Sequence, residues 1–117
     1  MRSGGMSCAW VAASVLLPAA GFAAELSIEP ERQQQLVRMV RQDCGSCHGM
    51  LLTGGLGPAL TREALADKPV AAMAATIFHG RPGTPMPGWK PMLSEAEALW
   101  IAERLLAGFP AETRAAR

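Results

Sequence analysis

An all-α fold of three to five helices is predicted for this 117-residue chain, on three observations. No stretch alternates polar and apolar residues at period two, the mark of a half-buried strand. Apolar residues instead recur at helical spacing in three separate segments. The last of these segments carries a complete set of helix start and stop signals. The length admits one domain and excludes a large two-domain enzyme. Eleven Lys and Arg against ten Asp and Glu leave a formal charge of +1, so bulk charge points to no nucleic acid or other polyanionic partner.

Residues 1–24 read as an export signal, not as part of the fold. Arg2 gives a positive start, Met6 to Ala20 is an apolar run broken at Pro18, and small residues follow at Gly21, Ala23 and Ala24. That order is the one of a secretory signal peptide. The run is shorter than the roughly 20 residues a membrane-spanning helix needs, which makes a retained anchor the weaker reading. Cleavage is expected after Ala23 or Ala24, and no twin-arginine pair is present. Half of the chain is apolar, and much of that excess leaves with the signal, as does Cys8. The domain over 25–117 is then an exported chain of 93 residues with ten basic and ten acidic side chains and two cysteines, Cys44 and Cys47. Chains this small usually need a disulfide, a metal or a cofactor to be stable.

The first helix is expected from Pro30, where a first-turn proline is tolerated, to Gln42. Leu36, Val37, Met39 and Val40 form its apolar stripe, and one further turn would carry Cys44 and Cys47 to the same buried side. Gly45, Gly49, Gly54, Gly55, Gly57 and Pro58 make 49–59 a loop. A short helix is expected over 61–66. A longer one starts near Pro69, carries Val70, Met73, Ile77 and Phe78 on one face, and stops at Gly80. Four prolines and three glycines within 80–91 make that segment extended and stiff. In the last helix Ser94 and Glu97 form a capping box, and Leu93 and Ala98 a hydrophobic staple. Ala98, Ile101, Ala102 and Leu105 line its inner face, Leu99, Trp100 and Leu106 widen it, and Gly108 with Pro110 ends it.

The chemistry lies in Cys44-Gly45-Ser46-Cys47-His48, which has the C-x-x-C-H spacing of covalent c-type haem attachment. Residues three apart at a helix end lie on one side, so both sulfurs can add to the two vinyl groups at one edge of a porphyrin. The next residue then brings its imidazole beneath the iron. Three other uses of the cysteines are weaker. A thioredoxin-like pair belongs beside a βαβ pattern, which is missing. A disulfide across two residues would be strained and leaves His48 without a role. A zinc site built from Cys44, Cys47, His48 and His79 would ask adjacent Cys47 and His48 to share one tetrahedral ion.

His48 then supplies one axial ligand, and its other ring nitrogen needs an acceptor. Pro58, ten residues on, either offers its carbonyl for that bond or is an ordinary turn proline. The sixth ligand decides function. Met39 and Met73 occupy helical core positions, where Met is a gap filler, and Met50 lies too close behind His48 to reach the far face. Met86 is preferred, because Pro85 and Pro87 fix the direction of its thioether; Met92 and His79 remain as alternatives. Arg81, Trp89 and Lys90 are either partners of the haem propionates or solvated loop residues.

A helix ending in C-x-x-C-H, then Gly-Pro, then Met in a Pro-rich loop, then an amphipathic last helix: this order resembles class I c-type cytochromes over essentially all of 25–117. More narrowly, residues 44–50, 54–61 and 80–87 are similar to the small NirC-type cytochromes (cytochrome c55X) of denitrifying bacteria. The resemblance implies a class I cytochrome c fold around one covalent haem c, with Cys44 and Cys47 as attachment points and His48 and Met86 as axial ligands. It also implies a periplasmic carrier, not an enzyme, that passes single electrons to or in support of the cytochrome cd-type nitrite reductase. A monomer with no anchor after cleavage is expected. Two other functions are compatible with these residues: an accessory role in maturing the d-type haem of that reductase, and a haem enzyme or ligand sensor in which Met86 is off the iron.

Overall fold

Helix α1 (Pro30–Met39) begins with proline in its first turn, where an N–H would have no intrahelical partner. The computed structural model describes residues 27–111; the expected signal over 1–24 lies outside them. Glu29 precedes α1 without a side-chain cap, and Gln33 Nε2 instead donates to Ile28 O at 2.8 Å. The helix does not continue regularly. Over Val40–Cys44 it widens into a π-turn, where Gly45 N–H donates to Val40 O five residues back, before α2 (Gly45–His48) resumes the α pitch.

That extra residue rotates the inner stripe. Leu36 and Val40 are fully buried, and the next buried position is Gly45, not Cys44. Cys44 is half-buried and packs against the core, as expected, whereas Cys47 is exposed, so the expectation that both cysteines sit on the buried side is corrected for Cys47.

Thr61 caps α3 (Arg62–Leu65), its hydroxyl accepting from Ala64 N at 3.2 Å. Helix α4 (Val70–His79) follows Pro69 and stops at Gly80, whose φ of +77° is in the left-handed region. Helix α5 (Glu95–Ala107) has the expected capping box complete. Ser94 Oγ accepts from Glu97 N at 3.1 Å, and Glu97 Oε2 accepts from Ser94 N at 2.9 Å. No strand occurs among the described residues.

Helices α4 and α5 pack along each other. Leu36, Val40, Leu52, Leu65, Ile77, Phe78 and Leu93 join Ala98, Ile101, Ala102 and Leu105 of α5 in one apolar cluster, each large side chain contributing about 1.5–3 kcal/mol by burial. Trp100 is half-buried against the cluster, whereas Leu99 is 40% exposed and lies off it. Arg41, within the π-turn, closes the far end: its Nη2 donates to Phe109 O at 3.1 Å and Pro110 O at 2.9 Å. Among the described residues no helix is long and apolar enough to cross a membrane.

Candidate haem-binding site

His48 ends α2, and Gly49, at φ +88°, turns the chain sharply away from it. The 49–60 loop folds back and satisfies the carbonyls that a helix end leaves open. Gly57 N–H donates to Cys47 O, and Gly54 N–H donates to His48 O, both at 2.8 Å. Within the loop Leu52 holds φ +59°, a conformation that costs a leucine energy, while its side chain is 2% exposed in the core. Leu60 N–H donates to Leu52 O at 2.8 Å and ties the loop shut.

This fold-back brings Pro58 to His48, with Nδ1 2.7 Å from Pro58 O. A carbonyl oxygen can only accept, so Nδ1 carries the proton and Nε2 keeps a lone pair for a metal. Gly57 lies against the ring. A Cβ there would stand 2.8 Å from both Cε1 and Nδ1 of His48, so main chain alone fits. Sequence reasoning named Pro58 and missed Gly57, for which the only cue was a glycine directly before the proline.

Cys44 and Cys47 are both free thiols. Burial, with the nearby Asp43 carboxylate adding to it, pushes the Cys44 thiol up to about 11. Ser46 Oγ donates to Asp43 O at 2.7 Å and steadies the turn between the cysteines. Among the described residues no three His, Cys, Asp or Glu side chains group as a metal ion would need, so Cys44, Cys47, His48 and His79 do not converge on a zinc site. The donor set does fit haem c: two unpaired thiols three residues apart and one imidazole with Nε2 uncommitted.

Met86 belongs to a separate turn that follows α4. Arg81 N–H donates to Met86 O at 3.3 Å, Thr84 Oγ1 donates to Arg81 O at 2.7 Å, and Met86 N–H donates to Thr84 Oγ1 at 3.4 Å. Met86 is half-buried, whereas Met50 and Met92 are 60% and 56% exposed. Met39 and Met73 pack against the core as expected. His79 is exposed and meets the Phe78 ring edge-on at 4.9 Å. Arg81 and Lys90 are exposed, Lys90 Nζ lying 5.9 Å above the Phe78 ring, and Trp89 packs on the core.

These helices and the Cys44–His48 pentad define a c-type cytochrome, and comparison with known proteins agrees. Residues 31–103 match the family described as Cytochrome C oxidase, cbb3-type, subunit III. The chain is 53% identical over 100 residues to cytochrome c55X of Stutzerimonas stutzeri, covering 86% of each protein. It also matches the solved structure of the c-type cytochrome NirC with a TM-score of 0.67 and 54% identity, covering 68% of this chain and 94% of that one. A third match, the dihydro-heme d1 dehydrogenase NirN in complex with DHE, has a TM-score of 0.57 and 36% identity. There the alignment covers 66% of this chain but only 16% of the larger one. The chain belongs to the cytochrome c55X family of c-type cytochromes. Members of such families carry haem c.

Proposed function

We propose that this chain is a periplasmic one-electron carrier serving a cytochrome cd-type nitrite reductase. In this reading one haem c is bound covalently through Cys44 and Cys47, with His48 and Met86 as its axial ligands. When bound, the haem supplies an iron that takes up and releases one electron and exchanges no other group. The observation that carries this reading is the 2.7 Å bond from His48 Nδ1 to Pro58 O. It commits Nε2 as the donor, while the Gly57 backbone restricts rotation of the ring. A ligand held this way reorganises little between oxidation states, and a thioether opposite it favours a relatively high potential. Both suit a shuttle. The similarity to cytochrome c55X supports the choice of partner.

The test is stopped-flow mixing of the reduced holoprotein with purified nitrite reductase. Oxidation at a rate that rises with reductase concentration is expected; no oxidation on the time scale of reductase turnover would remove this partner. Carbon monoxide binding readily to the reduced protein would instead favour an open iron site, as in a haem enzyme or sensor.

A second reading rests on the similarity to the dihydro-heme d1 dehydrogenase. In this reading the chain would accept electrons released during maturation of the d-type haem of the reductase. Reduction of the ferric protein by that dehydrogenase and its substrate, with slow transfer to nitrite reductase, would favour this role.

A further inference from the structure

The two glycines that flank the Met86 turn meet each other. A Cβ on Gly80 would stand 2.6 Å from Gly88 N. One on Gly88 would stand 2.7 and 2.8 Å from C and O of His79, and 2.9 Å from Phe78 O. Every atom met is main chain, which cannot swing aside as a side chain can. Beside this crossing, Trp89 N–H donates to Ile77 O at 3.0 Å and Lys90 N–H to Phe78 O at 3.1 Å. The turn over 81–86 is closed on itself by the Arg81, Thr84 and Met86 bonds described above. Its distance from α4 is therefore set where 78–80 and 88–90 touch. Gly80 is needed for its φ of +77°. Gly88 is not among the residues of positive φ, so the demand for glycine there is one of space.

We propose that Gly88 is a positioning residue for Met86: the bare backbone at 88 lets the turn lie against the end of α4 at the distance that presents the thioether as an axial ligand. The proposal rests on Met86 being that ligand. Alanine at 88 must open the crossing by about 0.7 Å, from 2.7 Å to the 3.4 Å of ordinary contact. That exceeds the roughly 0.5 Å within which a site's groups must be held.

The experiment compares wild-type, Met86→Ala and Gly88→Ala holoproteins by the far-red ferric absorption band of thioether ligation, followed with temperature beside global unfolding. Ile101→Val, a core truncation away from the turn, controls for general destabilisation. Met86→Ala is expected to abolish the band. Gly88→Ala is expected to lose it on the order of 10 °C below its own unfolding midpoint, and to bind carbon monoxide when reduced. If Gly88→Ala keeps the band until it unfolds, as Ile101→Val does, the proposal is overturned and Met86 stands as ligand. If Met86→Ala keeps the band, the ligand reading fails and the proposal with it.

A measurement on the wild type does not require the variant to fold. Exogenous imidazole displaces the thioether while hydrogen exchange is followed at Trp89 and Lys90. Continued protection is expected, because the backbone crossing holds the segment. Loss of protection would mean that the iron bond holds it, and would overturn the proposal.

Discussion

Arg32 and Glu97, 65 residues apart, form a two-point ion pair that fastens α1 to the first turn of α5: Nε to Oε1 at 2.6 Å and Nη2 to Oε2 at 3.2 Å. Glu97 Oε2 also accepts from Ser94 N in the capping box. One carboxylate thus closes both a helix end and a long-range contact.

The hydrogen bond from Arg32, opposed in part by burial, holds the Glu97 carboxyl below its usual range. A lowered folded value means that the contribution is present above the ordinary carboxylate pKa of about 4.3 and is lost as pH falls through the lowered value. Glu97→Gln keeps a side chain that can still cap. It should therefore melt a few degrees lower at neutral pH, about 1 kcal/mol, the value being limited because Arg32 is 37% exposed. Thermal melts across pH should show the gap closing in acid. A gap that persists there would trace the effect to packing, not charge.

Gly57 and Pro58 should respond in opposite ways to alanine. Pro58→Ala keeps the carbonyl that receives His48 Nδ1, so the ferric spectrum and potential should change little. Gly57→Ala puts a methyl 2.8 Å from the ring and must tilt the imidazole or break the bond to Pro58. Electron paramagnetic resonance of the ferric protein, sensitive to ring orientation, should shift for Gly57→Ala alone.

Leu52 inverts a familiar order of cost. Alanine there loses the buried side chain, about 2–5 kcal/mol, and keeps the left-handed strain. Glycine loses the same packing but is relieved of the roughly 1–2 kcal/mol of that conformation. In denaturant unfolding Leu52→Gly should thus be no less stable than Leu52→Ala, against the usual penalty for glycine.

Arg41→Ala should fray the end of α5. It removes the donors to Phe109 O and Pro110 O and the guanidinium 5.4 Å above the Phe109 ring. The loss is about 1 kcal/mol in this exposed setting. Amide exchange over 105–109 should quicken while that of α4 holds.

Features carried by neighbouring residues were legible in the sequence. The capping box of α5 needs only Ser94 and Glu97, and the Cys44–His48 pentad is contiguous. Gly80 and Gly108 stop their helices because each takes positive φ. Pro58 was nameable because the bond to His48 spans a short loop of fixed length. Features that depend on distant backbone were not. Arg32 has no local sign that its partner is Glu97. Nothing in Met50-Leu51-Leu52 announces that a leucine will take the left-handed region, since the closure of the loop by Leu60 imposes it. The space needed at Gly57 and Gly88 is defined by His48 and by the end of α4, so it appears only once the chain has folded. The π-turn likewise has no local sign in its residues, and a periodic stripe read past Val40 missed Gly45 as the buried position and put Cys47 on the buried side.

Because Val40–Cys44 winds as a π-turn with one residue more than a regular turn holds, the aim of the pentad depends on backbone pitch, not on any side chain. Winding the same residues at the regular pitch would swing everything after them by about 100° around the axis. Every residue of the pentad would still be present, and all would face the wrong way. Removing one residue together with the wide turn would cancel that swing, so pitch and length are constrained as a pair.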